Sequence, residues 1–164
     1  MILFGLSGAG KNFVGRILRD NYGFHFYDAD DDLTPVMREA IAKREIFTDA
    51  MRAEFFAIVI ERIRELRAHH DELVVSQAFF KEKYRRLVLE TFPEARFVLV
   101  ESSLEMIEAR LGQRNSAAGL EYARTILPAF EPPKHEHFIL HNVAGGEEVK
   151  AQLSALLEAI TRQI

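Results

Sequence analysis

The stretch GLSGAGKN, residues 5–12, decides the fold. It matches the phosphate-binding pattern G-x-x-x-x-G-K-[ST] at Gly5, Gly10 and Lys11, but it ends in Asn12, where the pattern requires Ser or Thr. Glycines let backbone N–H groups converge on a phosphate, and a following helix presents its positive end to the same anion. The stretch therefore predicts a nucleotide site formed by Gly8, Ala9, Gly10, Lys11, Asn12 and Phe13.

The flanking sequence gives this loop the context it requires. ILFGL, residues 2–6, is a continuous apolar run typical of a strand buried on both faces, and KNFVGRILRDNYG predicts a helix that stops at Gly23. In this context Lys11 is expected to reach the β and γ phosphates of a nucleotide. The alternative is a glycine-rich turn between a strand and a helix that binds no ligand.

Asn12 affects the expected metal site. The usual Ser or Thr hydroxyl is a Mg²⁺ ligand, and Mg²⁺ prefers hard oxygen ligands in a tight octahedron. The carbonyl oxygen of Asn is hard, but it lies one bond further out and competes with the NH₂ of the same group. We expect Asn12 to bind Mg²⁺ weakly or through water; the opposing hypothesis is a site that binds nucleotide without turnover.

Composition restricts the class of protein. The chain has 164 residues, 48% of them apolar and 28% charged, and no cysteine, which excludes disulfides and thiolate metal sites. We expect one domain over residues 1–164, in the cytoplasm, with no signal segment and no membrane partner. A net charge of −4 argues against nucleic acid as a partner. Monomer and homodimer both remain open.

Apolar periodicity alternates between strand-like and helix-like segments along the chain. The further strands are predicted at residues 24–30, 72–79, 95–102 and 137–142. Thr34 before Pro35 predicts a helix start, another helix is expected from about Thr48, and Ser102 with Glu105 has capping-box spacing. The alternation predicts an α/β fold in which helices cover both faces of a parallel sheet.

Several segments carry a family resemblance: GLSGAGKN, FYDAD, IFTDAMRAEFF, QAFFKEKYR, EARLGQR and the Phe-Glu-Pro-Pro link. In these segments the chain resembles the small P-loop kinases that include gluconate kinases and shikimate kinases. The resemblance implies a three-layer P-loop NTPase fold with a five-stranded parallel sheet in the order 2-3-1-4-5. It also implies a mobile lid at about residues 110–128 and acceptor-binding helices at about residues 33–69.

The acidic pair in FYDAD follows the second predicted strand. By resemblance, Asp28 holds metal-bound water, whereas Asp30 orients and deprotonates the acceptor hydroxyl. Arg52 matches an arginine that lies beside the acceptor and suits a carboxylate partner. The alternatives are a solvated acidic turn and an arginine on a helix surface.

The basic residues are expected to bind phosphates and acceptor. By resemblance, Arg110 and Arg114 lie at the start of the lid and bind the phosphates, and Arg114 is also catalytic. Arg85 is a further acceptor-binding candidate. AFFKEKYRR has one residue more than the similar stretch of gluconate kinases and has Gln77 in place of its serine. Lys81 or Lys83 could therefore take the place of Arg85. The segment that includes Asn142 resembles one that lines adenine, so Asn142 is expected at the nucleotide.

The resemblance implies an ATP- and Mg²⁺-dependent phosphotransferase that acts on a hydroxyl of a small, anionic, carbohydrate-like acceptor. Gluconate is the first expectation, and shikimate the second, because the glycine triplet of shikimate kinases is absent. Where gluconate kinases carry a glycine-histidine-phenylalanine segment, this chain has NSAAGLE. A nucleoside or nucleotide acceptor and a catalytically impaired nucleotide-binding module are the remaining alternatives.

Overall fold

The computed structural model describes residues 1–113 and 117–162. Its strands are β1 (Ile2–Phe4), β2 (His25–Asp28), β3 (Leu73–Ser76), β4 (Phe97–Glu101) and β5 (Phe138–His141). Its helices are α1 (Lys11–Tyr22), α2 (Pro35–Ala42), α3 (Asp49–Arg67), α4 (Glu82–Thr91), α5 (Leu104–Gln113), α6 (Ala117–Ile126) and α7 (Gly146–Thr161). Short 3₁₀ helices cover Ala29–Asp32 and Leu127–Ala129.

The five strands form one parallel sheet in the order β2-β3-β1-β4-β5, which confirms the predicted order. The central strand β1 has neighbours on both sides: Ile2 lies opposite Val75 of β3 and opposite Phe97 of β4. All three residues of β1 are buried. A parallel strand covered on both faces has no side that meets solvent, which explains the continuous apolar run at residues 2–6.

Two cores fill the spaces between the sheet and its helices. Phe4 and Val75 point to a core shared with α3 and α4, whereas Leu3 and Val74 point to a core shared with α1, α5 and α7. Successive strand residues alternate between faces, so each central strand supplies both cores. The result is the predicted three-layer arrangement, in which all parallel strands end at the same edge.

Local capping sets where the helices begin and end. Thr34 and Thr48 accept hydrogen bonds from the third residue of α2 and α3, at 3.3 Å and 3.2 Å, and Gly23 ends α1 with a φ of 76°. These boundaries agree with the sequence predictions. None of the helices in the described part of the chain has the length and apolarity needed to span a membrane.

The predicted capping box at Ser102 is wrong by one residue. Ser103 accepts the hydrogen bond from the backbone N–H of Met106, at 3.2 Å, and therefore caps α5. Ser102 directly follows β4 and donates its hydroxyl to the backbone oxygen of Asn142, at 3.0 Å. Ser102 thus links the ends of β4 and β5, a non-local contact that sequence spacing does not reveal.

Candidate active site

The loop between β1 and α1 is shaped by its glycines. Gly5, Gly8 and Gly10 have φ angles of 136°, 83° and 98°, which favour glycine over any other residue. A Cβ atom on Gly10 would lie 2.0 Å from Nδ2 of Asn142, and one on Gly5 would lie 2.6 Å from the backbone oxygen of Val100. The loop therefore rests closely on the ends of β4 and β5, and glycine is required for both reasons.

Lys11 stands at the N-terminus of α1 and lines the cavity above the loop. Its Nζ donates to the backbone oxygens of Gly5, at 3.1 Å, and Leu6, at 3.0 Å. The ammonium group is thus held over the loop, where helix N-terminus and side chain both favour an anion. Phe13 and Gly8 line the same cavity.

Arg110 and Asn142 support the loop from behind through its carbonyl oxygens. Arg110 Nη1 donates to the backbone oxygens of Gly8, at 3.3 Å, and Ala9, at 3.2 Å, and its Nη2 donates to that of Asn142, at 3.1 Å. The buried side chain of Asn142 donates Nδ2 to the backbone oxygen of Ala9, at 2.9 Å. Both residues also line the cavity, so they join α5 and β5 to the phosphate loop.

Asn12 lies between the ends of β2 and β3. Its NH₂ donates to the carboxylate of Asp28, and its carbonyl oxygen accepts from the hydroxyl of Ser76, which is 1% exposed. Sequence reasoning missed Ser76; the signal was its place as the last residue of β3, since the ends of neighbouring parallel strands meet at one edge.

The donor set at this position fits Mg²⁺. Asn12, Asp28 and Ser76 all carry hard oxygens, which Mg²⁺ prefers. Within residues 1–113 and 117–162 no group of three His, Cys, Asp or Glu side chains could hold a metal. Mg²⁺ usually keeps water and phosphate ligands, so one or two protein oxygens suffice beside a nucleotide.

Asp30 is held in place at the cavity. Gln77 donates Nε2 to Asp30 Oδ1, at 2.8 Å, and both residues line the cavity. Desolvation in the cavity raises the pKa of Asp30, and the charge of Asp28 raises it further, although Lys11 and the hydrogen bond from Gln77 oppose the rise. A carboxylate with a raised pKa and a fixed orientation is suited to act as a general base.

The structure brings Arg52 to the same cavity but not Arg85. Arg52 has a side chain that is 18% exposed, and its Nη1 lies 3.5 Å from the exposed carboxylate of Asp49. Arg85 is fully buried: its Nε lies 2.8 Å from Glu82 Oε2, and its Nη2 donates to the backbone oxygen of Glu131, at 2.6 Å. Arg85 therefore takes part in the core, and the expectation that it binds acceptor is not supported.

The remaining basic candidates differ in position. Lys81 lines the cavity and lies 3.1 Å from Glu131 Oε1. Lys83 is exposed, with Nζ at 4.9 Å from the ring centre of Tyr84. Arg114 lies outside the described residues.

The phosphate loop, Asp30, Arg52 and Lys81 line one cavity of about 760 Å³. It extends from the phosphate loop, past the ends of β2 and β3, to α2, α3 and the connection between β3 and α4. An anion-binding loop, a carboxylate with a raised pKa and a cation at the far end therefore face a common space. This is the arrangement that phosphoryl transfer between two bound molecules requires.

Comparisons with known proteins agree with this geometry. The family model described as shikimate kinase matches residues 7–130. Gluconokinase of Arabidopsis thaliana is 27% identical over 124 residues, which is 70% of this chain and 66% of that protein. Shikimate kinase of Saccharopolyspora erythraea is 29% identical over 133 residues, 80% of this chain and 69% of that protein. The chain thus spans about two thirds of each of these relatives.

A solved structure supports the same fold. The crystal structure of a gluconokinase from Sinorhizobium meliloti 1021 superposes with a TM-score of 0.78 at 25% sequence identity. The alignment covers 99% of this chain and 95% of that chain. The similarity therefore includes all layers of the fold.

Proposed function

The chain belongs to the shikimate kinase family of small-molecule kinases, and we propose that it transfers the γ-phosphoryl group of ATP to a hydroxyl of a small anionic acceptor. The observation that carries the proposal is the single cavity shared by Lys11, Asp30 and Arg52. Within this class a carbohydrate-like acid is the finer proposal. Gluconate is the first compound to test and shikimate the second, because relatives are named for both reactions.

We assign the phosphate end to the loop. The backbone N–H groups of residues 8–13 and the Lys11 ammonium hold the β and γ phosphates. Asn12 and, through water, Asp28 would hold Mg²⁺, which would neutralise phosphate charge there. Arg110 and Asn142 hold the conformation of the loop through its carbonyl oxygens. We assign the cavity wall beside Asn142 to the adenine base of the nucleotide.

At the acceptor end we assign Asp30 as the general base. Its carboxylate accepts the proton of the acceptor hydroxyl as that oxygen attacks the γ phosphorus, and Gln77 holds the carboxylate in the required orientation. Arg52 pairs with the anionic group of the acceptor. The acceptor thus lies between α2 and α3, within the predicted acceptor-binding helices at residues 33–69.

The lid at about residues 110–128 remains part of the proposal. We assign Arg114 there to the transferring phosphoryl group, as the resemblance implies. Closure over the nucleotide excludes water, so that ATP is not simply hydrolysed. We place the whole reaction in one domain, residues 1–164, in the cytoplasm.

The test is acceptor-dependent ADP release with ATP and Mg²⁺. Asp30→Asn removes the base and should abolish the acceptor-dependent rate, whereas Asp31→Asn changes a neighbour that does not line the cavity and should leave it intact. Arg52→Met should raise the acceptor KM, with Arg64→Met on the exposed side of the same helix as its control. If ATP binds but no acceptor raises the rate, either the acceptor lies outside the compounds tested or the chain is a nucleotide-binding module. Turnover of Asn12→Ser is then the next test.

A further inference from the structure

Asp30 lies in the short 3₁₀ helix Ala29–Asp32, directly after β2. The side chain of Asp28 caps the start of this helix by accepting from the backbone N–H of Asp30, at 3.1 Å. At the other end the backbone N–H of Leu33 donates to the carbonyl oxygen of Asp30, at 3.3 Å. A 3₁₀ helix of four residues has few hydrogen bonds of its own, so its conformation depends on contacts from neighbouring elements.

Arg38 of α2 makes such a contact with the end of the 3₁₀ helix. Its Nη2 donates to the backbone oxygens of Asp31, at 2.8 Å, and Asp30, at 3.3 Å, and its Nε donates to that of Leu33, at 3.1 Å. Carbonyl oxygens at the end of a helix carry partial negative charge and lack partners within the helix, so they favour a cation. A guanidinium presents its N–H groups in a planar fork, so one side chain holds three carbonyl oxygens of residues 30–33.

The first turn of α2 determines where Arg38 lies. Thr34 caps this helix, and its backbone oxygen accepts from the backbone N–H of Arg38, at 3.0 Å. The preceding residue, Met37, is buried in the core shared with α3, which fixes the rotation of the helix. Side chains of an α-helix lean towards its N-terminus, so the side chain of Arg38 extends back towards residues 30–33.

The contact from Arg38 reaches the cavity through Asp30. Arg38 does not itself line the cavity, so it does not touch a molecule bound there. Asp30 does line it, and its carboxylate accepts from Nε2 of Gln77, at 2.8 Å. Arg38 therefore restrains the backbone of Asp30, whereas Gln77 restrains its carboxylate.

Asp32 attaches the same 3₁₀ helix to two other elements. Its Oδ2 accepts from the hydroxyl of Tyr27 in β2, at 2.7 Å, and from Nε of Arg62 in α3, at 3.2 Å. Neither of these contacts involves Arg38, so both remain when Arg38 is replaced. Loss of Arg38 should therefore loosen residues 30–33 without detaching them from the sheet.

We infer that Arg38 is a positioning residue for Asp30: it holds residues 30–33 so that the carboxylate stays where it accepts the proton of the acceptor hydroxyl. The inference rests on the proposed function, because it takes Asp30 to be the general base. Displacing a reacting group by about 1 Å lowers a rate about 100-fold. Stability should change little in Arg38→Met, because these hydrogen bonds are exposed and water can replace the guanidinium.

Hydrogen exchange of the backbone tests the contact without any acceptor. Arg38→Met should exchange the N–H groups of Asp30 and Leu33 about tenfold faster than the native chain, because the segment that carries them opens more often. Lys43→Met removes an exposed cation just after the same helix and should change neither. Unchanged exchange in Arg38→Met would overturn the inference. Equally faster exchange in β3 would also overturn it, because that result would show a general loss of stability.

Single-turnover transfer from ATP, with Mg²⁺ and either gluconate or shikimate, tests the consequence for the reaction. In Arg38→Met the rate at saturating acceptor should fall about 10–100-fold, while the half-saturating acceptor concentration and the ADP affinity change less than about twofold. Arg38→Lys keeps the charge, but one ammonium group cannot span three carbonyl oxygens, so it should recover only part of the rate. A native rate in Arg38→Met, or full recovery in Arg38→Lys, would overturn the inference.

The two experiments separate failure of the inference from failure of the proposed function. Faster exchange at Asp30 and Leu33 in Arg38→Met, with no transfer by the native chain to either acid, would support the restraint by Arg38 and count against the proposed function with these acids. Loss of transfer in Asp30→Asn, with native exchange and a native rate in Arg38→Met, would support the proposed function and refute the inference.

Discussion

Replacing Asn12 by Ser restores the residue that the phosphate-binding pattern requires, and the structure predicts two opposite effects. In the native chain Asn12 donates its NH₂ to Asp28 and accepts from the buried hydroxyl of Ser76. The shorter serine cannot make both contacts. The variant should therefore be less stable without ligand, yet bind Mg²⁺-nucleotide more tightly.

The stability loss follows from the groups left without partners. A hydrogen bond to a carboxylate contributes about 1.5–3 kcal/mol, and a buried hydroxyl that loses its partner costs about 1–3 kcal/mol. Asp28 is only half-buried, and water replaces part of what it loses, so we expect about 2–3 kcal/mol in total. For a chain of this size that lowers Tm by about 5–10 °C.

The gain in metal binding has a separate cause. In the native chain a cation at Asp28 has to displace the NH₂ of Asn12, whereas a serine hydroxyl is itself a Mg²⁺ ligand. We expect Mg²⁺ to increase ADP affinity about tenfold more in Asn12→Ser than in the native chain, a difference of about 1.4 kcal/mol. Asn21→Ser, on an exposed position of the same helix, is the matched control.

Thermal unfolding without ligand and calorimetric titration of ADP with and without Mg²⁺ measure the two effects. The reasoning is refuted if Asn12→Ser unfolds at the native temperature, or if Mg²⁺ increases ADP affinity equally in both proteins. Turnover then shows the biological meaning: a large gain in the variant means that the native site is impaired, and a loss means that Asn12 is a working part of it.

Three further predictions concern the base, the core and the loop. Activity requires deprotonated Asp30 and is lost as the pH falls through the raised pKa of Asp30. Because Gln77→Leu removes a hydrogen bond that lowers this pKa, the acidic limb of kcat/KM should move to higher pH. A shift of that limb to lower pH would contradict this. Arg85→Met should lower the free energy of unfolding in urea by about 3 kcal/mol, because Glu82 loses its buried partner. The acceptor KM should stay unchanged. A raised KM with native stability would instead support the sequence-based expectation that Arg85 binds the acceptor. Gly10→Ala should weaken ADP binding at least tenfold, since φ is 98° and the new Cβ would displace Asn142; native affinity in the folded variant would disprove the close approach.

The sequence was sufficient for the fold because its signals are local and agree with one another. The apolar run before Gly5, the caps at Thr34 and Thr48 and the stop at Gly23 all predict elements that the structure contains. Alternation of strands and helices then leaves a parallel sheet as the consistent solution. The strand order came from the family resemblance, and the structure confirms it.

The site was predicted less completely because its contacts are non-local. The motif located Lys11, and the resemblance located Asp30. The strand predicted at residues 72–79 did not place Ser76 at a strand end, so its bond to Asn12, which lies 64 positions away, was missed. For Arg85, sequence alone did not distinguish a residue at the cavity from one buried beside Glu82. Likewise, the apolar side chains of Phe47, Phe56 and Phe80 come together only where α2, α3 and the connection after β3 meet.

The most direct test of the central claim is phosphorus NMR of the reaction products. ATP and Mg²⁺ would be incubated with either gluconate or shikimate and with the native chain, Asp30→Asn or Asp31→Asn. The account predicts that the γ-phosphate signal is replaced by that of a phosphomonoester of one acid, in the native chain and in Asp31→Asn alone. Release of inorganic phosphate only, or a phosphomonoester formed as fast by Asp30→Asn, would contradict it.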